Sequence, residues 1–473
     1  MRKFLILSGI ALLSCVAAIQ GGQAPVSNPP AQKLQTGVLL AHQTCVGKPE
    51  QSYAIYLPSQ YKPSKRWPIV YAFDPAARGN VPVELMKDAA ERHGYIVVGS
   101  NNSRNSSWKI EAEAAQAMLE DTHARLAIDD QRVYFAGFSG GARVASQIAE
   151  RCKCAAGVLL NGAGFSPGAP PSRDATFAVF AAVGSFDFNY PEVAQLDEKL
   201  EEAGFAHLLR HFDGPHQWAP ASLMEEALAW FRLVAIKQSR EPRDDAFVAT
   251  QIAEATERSR ALEQSGDPYA AWREYLQDAA TFDGLTDATA LRQAAASLAT
   301  QKSVRDGAKR EKQEFQEQDQ LSGEISSGLV SLRNDTVTRS DTRSQIEQKI
   351  VDLRERAAHE KRPEKVRVFR RVLSGVLVEA MEADEERLDA KDVRLAMDYF
   401  QLAADADPDS VWALDSLATT RALTGDRKGA LEALRHAKQK TKDPTAFSTW
   451  LSEEPAFAKL REDPQFHALL ATP

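Results

Sequence analysis

The chain has 473 residues, of which 44% are hydrophobic and 26% are charged, and its formal net charge is −8. This composition is typical of a soluble globular protein, and the length predicts two or three domains. The acidic balance argues against nucleic-acid binding, because phosphate contacts need a concentrated basic face. After the N-terminus no apolar run reaches 18 residues, so no transmembrane helix is expected.

The N-terminus predicts an export signal over residues 1–18. Two basic residues precede an apolar run from Phe4 to Val16, and small residues follow. The segment Leu12-Leu13-Ser14-Cys15 also resembles a bacterial lipobox, which would make Cys15 a lipidated N-terminus. Residues 19–35 are predicted to be a flexible leader. We therefore expect a periplasmic or extracellular protein, with membrane contact only through such an anchor.

Three cysteines remain after the signal: Cys45, Cys152 and Cys154. An exported protein meets an oxidising compartment, so a disulfide is expected. Cys152 and Cys154 are too close in the chain for an easy local bridge, and we expect Cys45 to pair with one of them. No zinc-ligand spacing is present.

Strand and helix patterns alternate from residue 36 to residue 238. Apolar, β-branched runs alternate with amphipathic stretches, which predicts βαβ units and a mostly parallel sheet. The predicted strands are 37–42, 52–57, 68–73, 95–100, 133–136, 156–160, 177–183 and 207–211. The predicted helices are 83–93, 111–127, 142–151, 191–203 and 221–235.

After the fifth predicted strand comes Gly137-Phe138-Ser139-Gly140-Gly141, followed by a helical pattern. This is the G-x-S-x-G pattern of a nucleophile elbow, in which a serine stands on a sharp strand-to-helix turn. Glycines on both sides let the strand and the helix approach closely. The sequence therefore predicts Ser139 as a nucleophile, and the N–H of Gly140 as an oxyanion donor.

A serine nucleophile on this scaffold needs an acid and a histidine later in the chain, in that order. Asp187 follows the seventh predicted strand, and His216 follows the eighth in a Gly/Pro turn. Both positions lie at the carboxyl edge of the sheet, where ligands bind. Asp213 is a rival acid, but it is only three residues from His216. We predict a Ser139–His216–Asp187 triad that works through an acyl-enzyme.

The remaining site predictions concern loops at the same edge. Ala76, in the loop after the third strand, is the predicted second oxyanion donor, because Pro75 has no N–H to donate. The residues predicted to line the substrate pocket are Asp74, Asn101, Trp108 and Trp218. For both tryptophans packing is the alternative.

A polar segment at residues 239–246 predicts a linker, and residues 247–473 carry helical periodicity alone. Within them a 34-residue repeat places Ala396, Phe400 and Ala403 in register with Ala430, Leu434 and Ala437. This resembles the tetratricopeptide (TPR) pattern. The resemblance implies a helical domain that binds a protein or peptide partner. The alternative is that it stabilises or spaces the first domain.

The first half resembles the α/β-hydrolases, closest in layout to polyhydroxybutyrate depolymerases, feruloyl esterases and dienelactone hydrolases. The resemblance depends on the elbow at Gly137–Gly141, on Asp187 and on His216. It implies an eight-stranded α/β-hydrolase fold and carboxylic ester hydrolysis without a metal or organic cofactor. The short connection between Leu160 and Phe177 predicts an open site without a lid. Two alternatives stay open: a serine peptidase or amidase of this fold, and a non-catalytic TPR scaffold with a relic hydrolase domain.

Overall fold

The computed structural model describes residues 34–166, 171–172, 174–334, 339–389 and 392–470. The predicted signal, Cys15 and nearly all of the predicted leader lie outside the described residues. Among the residues described, no helix is both long and apolar enough to cross a bilayer.

Within the described residues, eight strands form one sheet in the order β1-β2-β4-β3-β5-β6-β7-β8. β2 pairs antiparallel with β1 and β4, whereas β3 pairs parallel with β4 and β5, and β5 pairs parallel with β6. The strands are β1 (Leu39–Cys45), β2 (Lys48–Tyr56), β3 (Trp67–Phe73), β4 (Ile96–Ser100), β5 (Ile128–Phe138), β6 (Ala155–Asn161), β7 (Ala178–Gly184) and β8 (His207–Phe212). The predicted α/β fold class, with eight strands in a mostly parallel sheet, is confirmed.

The central strands are apolar on both faces, which is why they lie inside the sheet. Every residue of β3, β4, β6 and β7 is buried. Strands covered on both faces lose the two-residue alternation and become continuous hydrophobic runs. The helices of this half are α1 (Asn80–His93), α2 (Trp108–Arg125), α3 (Gly140–Cys152), α4 (Tyr190–Ala203) and α5 (Ala221–Lys237).

A helical region follows the sheet. Its helices are α6 (Asp245–Gln264), α7 (Pro268–Phe282), α8 (Thr289–Ala299), α9 (Lys302–Asn334), α10 (Arg339–His359), α11 (Pro363–Asp389), α12 (Val393–Ala406), α13 (Val411–Thr424), α14 (Arg427–Lys440), α15 (Pro444–Glu453) and α16 (Pro464–Leu470), with a 3₁₀ turn at Pro455–Phe457. α12 and α14 begin 34 residues apart. The six apolar residues predicted at equivalent repeat positions are all buried. The helical period is therefore present, and membership of the TPR family stays a prediction.

The chain divides into two compact units. The first contains Met1–Phe180, Leu200–His207 and Pro220–Asp244, and the second contains Ala181–Lys199, Leu208–Ala219 and Asp245–Pro473. The second unit thus includes the end of β7, most of α4 and the loop after β8, together with the helical region. The linker at residues 239–246, between a first domain at residues 36–238 and a second at residues 247–473, stays a prediction.

The predicted disulfide between Cys45 and Cys152 or Cys154 is wrong. Cys152 and Cys154 are bonded to each other, with their Cα atoms 5.1 Å apart. Lys153 between them has a positive φ of 51°, and this left-handed turn brings the two cysteines together at the end of α3. Cys45 is a free, buried thiol.

Candidate active site

Ser139 lies between β5 and α3, at the sharp turn that its sequence context predicted. Its backbone has φ 52° and ψ −122°, a conformation that is strained for a residue with a Cβ. Its N–H donates to the carbonyl of Asn161 at the end of β6, over 2.9 Å. The turn is thus fixed to the neighbouring strand, and the serine stands at the carboxyl end of the central strand.

Two glycines of the elbow are needed for close backbone packing. A Cβ on Gly137 would lie 2.0 Å from the carbonyl oxygen of Gly141. A Cβ on Gly141 would lie 2.1 Å from the carbonyl oxygen of Phe73, on β3. No side chain fits at such distances, so β5, α3 and β3 can approach as observed only with glycine at both positions.

Asp187 and His216 form a hydrogen-bonded pair within the second unit. Nδ1 of His216 lies 2.9 Å from both carboxylate oxygens of Asp187. The aspartate is fully buried, and the imidazole is 10% exposed. An Nδ1–H that donates to a carboxylate leaves the lone pair on Nε2, which is the tautomer that a general base needs.

The rival acid has a different partner. Asp213 accepts a hydrogen bond from Oγ of Ser185 at 3.2 Å, and its side chain is exposed. Asp187 is also held by the N–H of Asn189, which donates to its Oδ1 at 2.8 Å. The acid nearest to His216 in the sequence is therefore not the acid that binds its ring.

The phenyl ring of Phe188 lies against the imidazole, with ring centroids 4.6 Å apart. Phe188 comes directly after the acid in the sequence, so one short segment presents both a carboxylate and an aromatic ring to His216. The sequence offered no signal for this role, because a Phe in a loop is most often a packing residue.

Ala76 was predicted to donate its N–H to an oxyanion, but in the structure this N–H already has an acceptor. It donates to Oδ1 of Asp74 over 2.9 Å. Asp74 itself is fully buried, and its two oxygens also accept from the guanidinium of Arg78 at 2.9 and 3.0 Å. Asp74 therefore builds the loop after β3, and the predicted substrate role has no support in this geometry.

The other predicted pocket residues have structural partners. Nδ2 of Asn101 donates to the carbonyl of Ala41 at 3.1 Å, which ties the end of β4 to β1. The half-buried ring of Trp108 stacks under the guanidinium of Arg151, 4.3 Å from the ring centroid. Trp218 is buried at 7% exposure. For Asn101 and Trp108 the contacts are those of packing residues.

Asn105 lies beside the elbow, in the loop after β4 that also carries the predicted pocket residue Asn101. A Cβ on Gly140 would lie 1.9 Å from Oδ1 of Asn105, so this exposed carboxamide occupies the space that a side chain at position 140 would take. The N–H of Asn105 donates to the carbonyl of Pro75 at 2.8 Å. The only sequence signal was its place in the loop after β4, at the carboxyl edge of the sheet.

Within the described ranges, no group of three or more His, Cys, Asp or Glu side chains is placed to hold a metal ion.

No family model matches the chain, and no curated protein matches it. Among solved structures it is similar to an S-formylglutathione hydrolase from Staphylococcus aureus, with 14% identity and a TM-score of 0.33 over 41% of this chain and 95% of that one. It is similar to a ferulic acid esterase, with 18% identity and a TM-score of 0.34 over 42% and 96%. A thermostable carboxylesterase from a metagenomic library has 14% identity and a TM-score of 0.34 over 43% and 90%. Similarity at this level carries no argument about activity.

Proposed function

We propose that this protein is a serine hydrolase that cleaves carboxylic esters through Ser139, His216 and Asp187. The observation that carries the proposal is the pairing of His216 Nδ1 with the buried carboxylate of Asp187, at 2.9 Å to both oxygens. The strained turn at Ser139 supports it independently, because such strain concentrates at functional sites.

In the proposed reaction, Nε2 of His216 takes the proton of Ser139 Oγ while that oxygen attacks the acyl carbon. Asp187 stabilises the imidazolium and keeps the ring in the correct tautomer. The imidazolium then protonates the leaving alcohol, and the acyl group stays on Ser139. Water, deprotonated by the same imidazole, releases the acid and regenerates the serine. The N–H of Gly140, at the start of α3, is the proposed oxyanion donor.

The proposed substrates are soluble or polymer-attached esters of short acyl groups. β6 ends at Asn161 and β7 begins at Ala178, which leaves 16 residues between them. The shortness of this connection supports the proposal of an open site. Export, a lipid anchor on Cys15 and a peptide partner for the helical region stay predictions.

A fluorophosphonate probe tests the proposal directly, since it reacts with an activated serine. We expect the full chain to be labelled, Ser139→Ala to be unlabelled, and Ser106→Ala, which changes an exposed loop serine, to label like the wild type. Absence of labelling, or labelling that survives Ser139→Ala, rejects the catalytic function and favours a binding protein.

Substrate class is then tested with nitrophenyl esters of increasing chain length, beside peptide anilides. Faster cleavage of short esters supports the proposal. A preference for long acyl chains contradicts the open site, and cleavage of the anilides alone would make the protein a peptidase or amidase.

A further inference from the structure

The residues on both sides of Asp187 are bound by helices of the helical region. We define the acid loop as residues 185–189, between β7 and α4. Nε of Arg371, on α11, donates to the carbonyl of Ser185 at 2.8 Å. Nε2 of Gln318, on α9, donates to the carbonyl of Phe188 at 2.7 Å. Both contacts lie within the second compact unit.

A third side chain of the helical region, Arg370 on α11, also contacts the acid loop. The guanidinium of Arg370 lies 4.7 Å from the ring centroid of Phe186, at cation–π distance. Residues 185, 186 and 188 are therefore each held by a side chain of α9 or α11. These three contacts lie on either side of Asp187, whose carboxylate binds His216 Nδ1 and the N–H of Asn189.

Arg371 is an unusual residue to find in this position. It is only 1% exposed, and burying a guanidinium is costly unless its donors are satisfied. Its other contacts are Glu314 at 3.3 Å and the ring of Tyr190 at 3.6 Å from the centroid. Glu314 is also paired with Arg367 at 2.6 Å, so neutralising this acid does not require Arg371. The hydrogen bond from Nε of Arg371 to the carbonyl of Ser185 is therefore a contact that the pairing of Glu314 does not explain.

Gln318 is buried in the same way, at 5% exposure. Its Oε1 has no hydrogen-bond partner among the described residues, whereas its Nε2 is bound to Phe188. A buried amide that satisfies only its donor is more costly than an apolar side chain of the same size. The donor to the acid loop is thus the feature that this glutamine provides.

We infer that Arg371 and Gln318 are positioning residues that hold the acid loop so that Asp187 stays paired with His216. The inference rests on the proposed function, in which this pair activates Ser139. The helical region would then contribute directly to hydrolysis, because side chains of α9 and α11 keep the catalytic acid in position. A misplacement of about 1 Å in such a pair costs about 100-fold in rate.

The test uses the full chain with Arg371→Met, Gln318→Leu and the double variant. Arg367→Met is the matched control, because it lies on the same helix and binds the same Glu314. We expect the double variant to lose about 100-fold in kcat per active site, counted by fluorophosphonate titration, with little change in KM. Arg371→Lys should regain about tenfold over Arg371→Met, the worth of one charge-assisted hydrogen bond. Arg367→Met should keep the wild-type kcat.

Proton NMR supplies a readout that does not need turnover. An Nδ1–H shared with a carboxylate gives a strongly deshielded signal, assigned here by its loss in His216→Ala. We expect this signal in the wild type and in Arg367→Met, and its weakening in Arg371→Met and Gln318→Leu. If Arg371→Met fails to fold, Gln318→Leu and Arg371→Lys carry the test.

The outcomes separate the two proposals. Wild-type kcat and an unchanged deshielded signal in Arg371→Met, Gln318→Leu and the double variant overturn the positioning inference and leave the proposed function intact. A wild type that neither hydrolyses esters nor reacts with the probe overturns the proposed function. In that case the NMR comparison still decides whether the two residues hold Asp187 against His216.

Discussion

Nδ1 of His216 lies 2.9 Å from each carboxylate oxygen of Asp187, which is itself fully buried. The two residues follow neighbouring strands of the sheet, and they come from loops 29 residues apart in the chain. In the proposed reaction this carboxylate orients the ring and stabilises its cation.

Replacement of Asp187 by Asn should therefore lower kcat for ester hydrolysis by about 10⁴-fold. The amide of Asn donates to Nδ1, which moves the imidazole proton to Nε2 and removes the base. Steady-state hydrolysis of a short nitrophenyl ester measures the effect. Asp213→Asn is the control and should stay near the wild-type rate, because Asp213 binds Ser185. Equal losses in both variants would contradict the assignment of the acid.

The backbone of the elbow predicts a large difference between two glycine substitutions. In Gly141→Ala the new Cβ would meet the carbonyl of Phe73 at 2.1 Å, so overpacking should lower the free energy of unfolding by at least about 1–3 kcal/mol. Gly323→Ala, in the exposed middle of α9, meets no atom within 4 Å and should raise it by about 0.5–1 kcal/mol. Urea unfolding measures both variants, and a neutral Gly141→Ala would refute the packing argument.

Counting the cysteines that can be alkylated before and after reduction tests the disulfide between Cys152 and Cys154. In the full chain with Cys15→Ser, alkylation under denaturing, non-reducing conditions should label one cysteine, Cys45, and labelling after reduction should reach three. Peptide mapping that finds Cys45 in a disulfide would contradict the structure. In the native protein, burial and then Asp121 raise the pKa of Cys45 to about 11, so about 0.1% of the thiol is ionised at pH 8. Native alkylation should accordingly be slow.

Asp415 on α13 gives a pH dependence of stability. Burial raises its pKa to about 7, and its Oδ1 has no hydrogen-bond partner among the described residues. The folded state then binds a proton more tightly than the unfolded state, so the carboxyl group costs stability as the pH rises from about 4 to about 7. Asp415→Asn should be stabilising at pH 8, on the order of 4 kcal/mol, and nearly neutral at pH 4.

Chemical denaturation at the two pH values measures the effect of Asp415→Asn, with the exposed Asp319→Asn as control. A stabilisation that does not change with pH would show that Asp415 titrates normally in the folded protein.

Local patterns were sufficient for much of the fold. Each of the eight predicted strands overlaps an observed strand, and the five predicted helices overlap α1 to α5. Continuous apolar runs and 3.6-residue periods depend on which face of a segment is buried, and that information is present in neighbouring residues. The elbow was predictable for the same reason, because its glycines and its serine lie within five positions.

The bonding partners of individual side chains and N–H groups were harder to predict from the sequence. Cys45 was expected to bond, but the turn at Lys153 joined the other two cysteines instead. The N–H of Ala76 was expected to face an oxyanion, but the buried carboxylate of Asp74 took it. In each case the observed partner lies two residues away in the chain: Cys154 for Cys152, and Asp74 for Ala76. The backbone torsions that allow such local contacts cannot be predicted from composition or spacing.

By itself the amino-acid sequence determined the order of strands and helices, the strained turn at Ser139 and the 34-residue helical period, because these depend on contacts between near neighbours. The sequence also predicted Asp187 as the acid that binds His216, but only the tertiary structure decided which side chains contact the residues on either side of Asp187. Arg371 and Ser185 are 186 residues apart, and no periodicity links them. Burial leaves the guanidinium of Arg371 without water, so its donors must find acceptors within the folded chain, and the carbonyl of Ser185 is one of them.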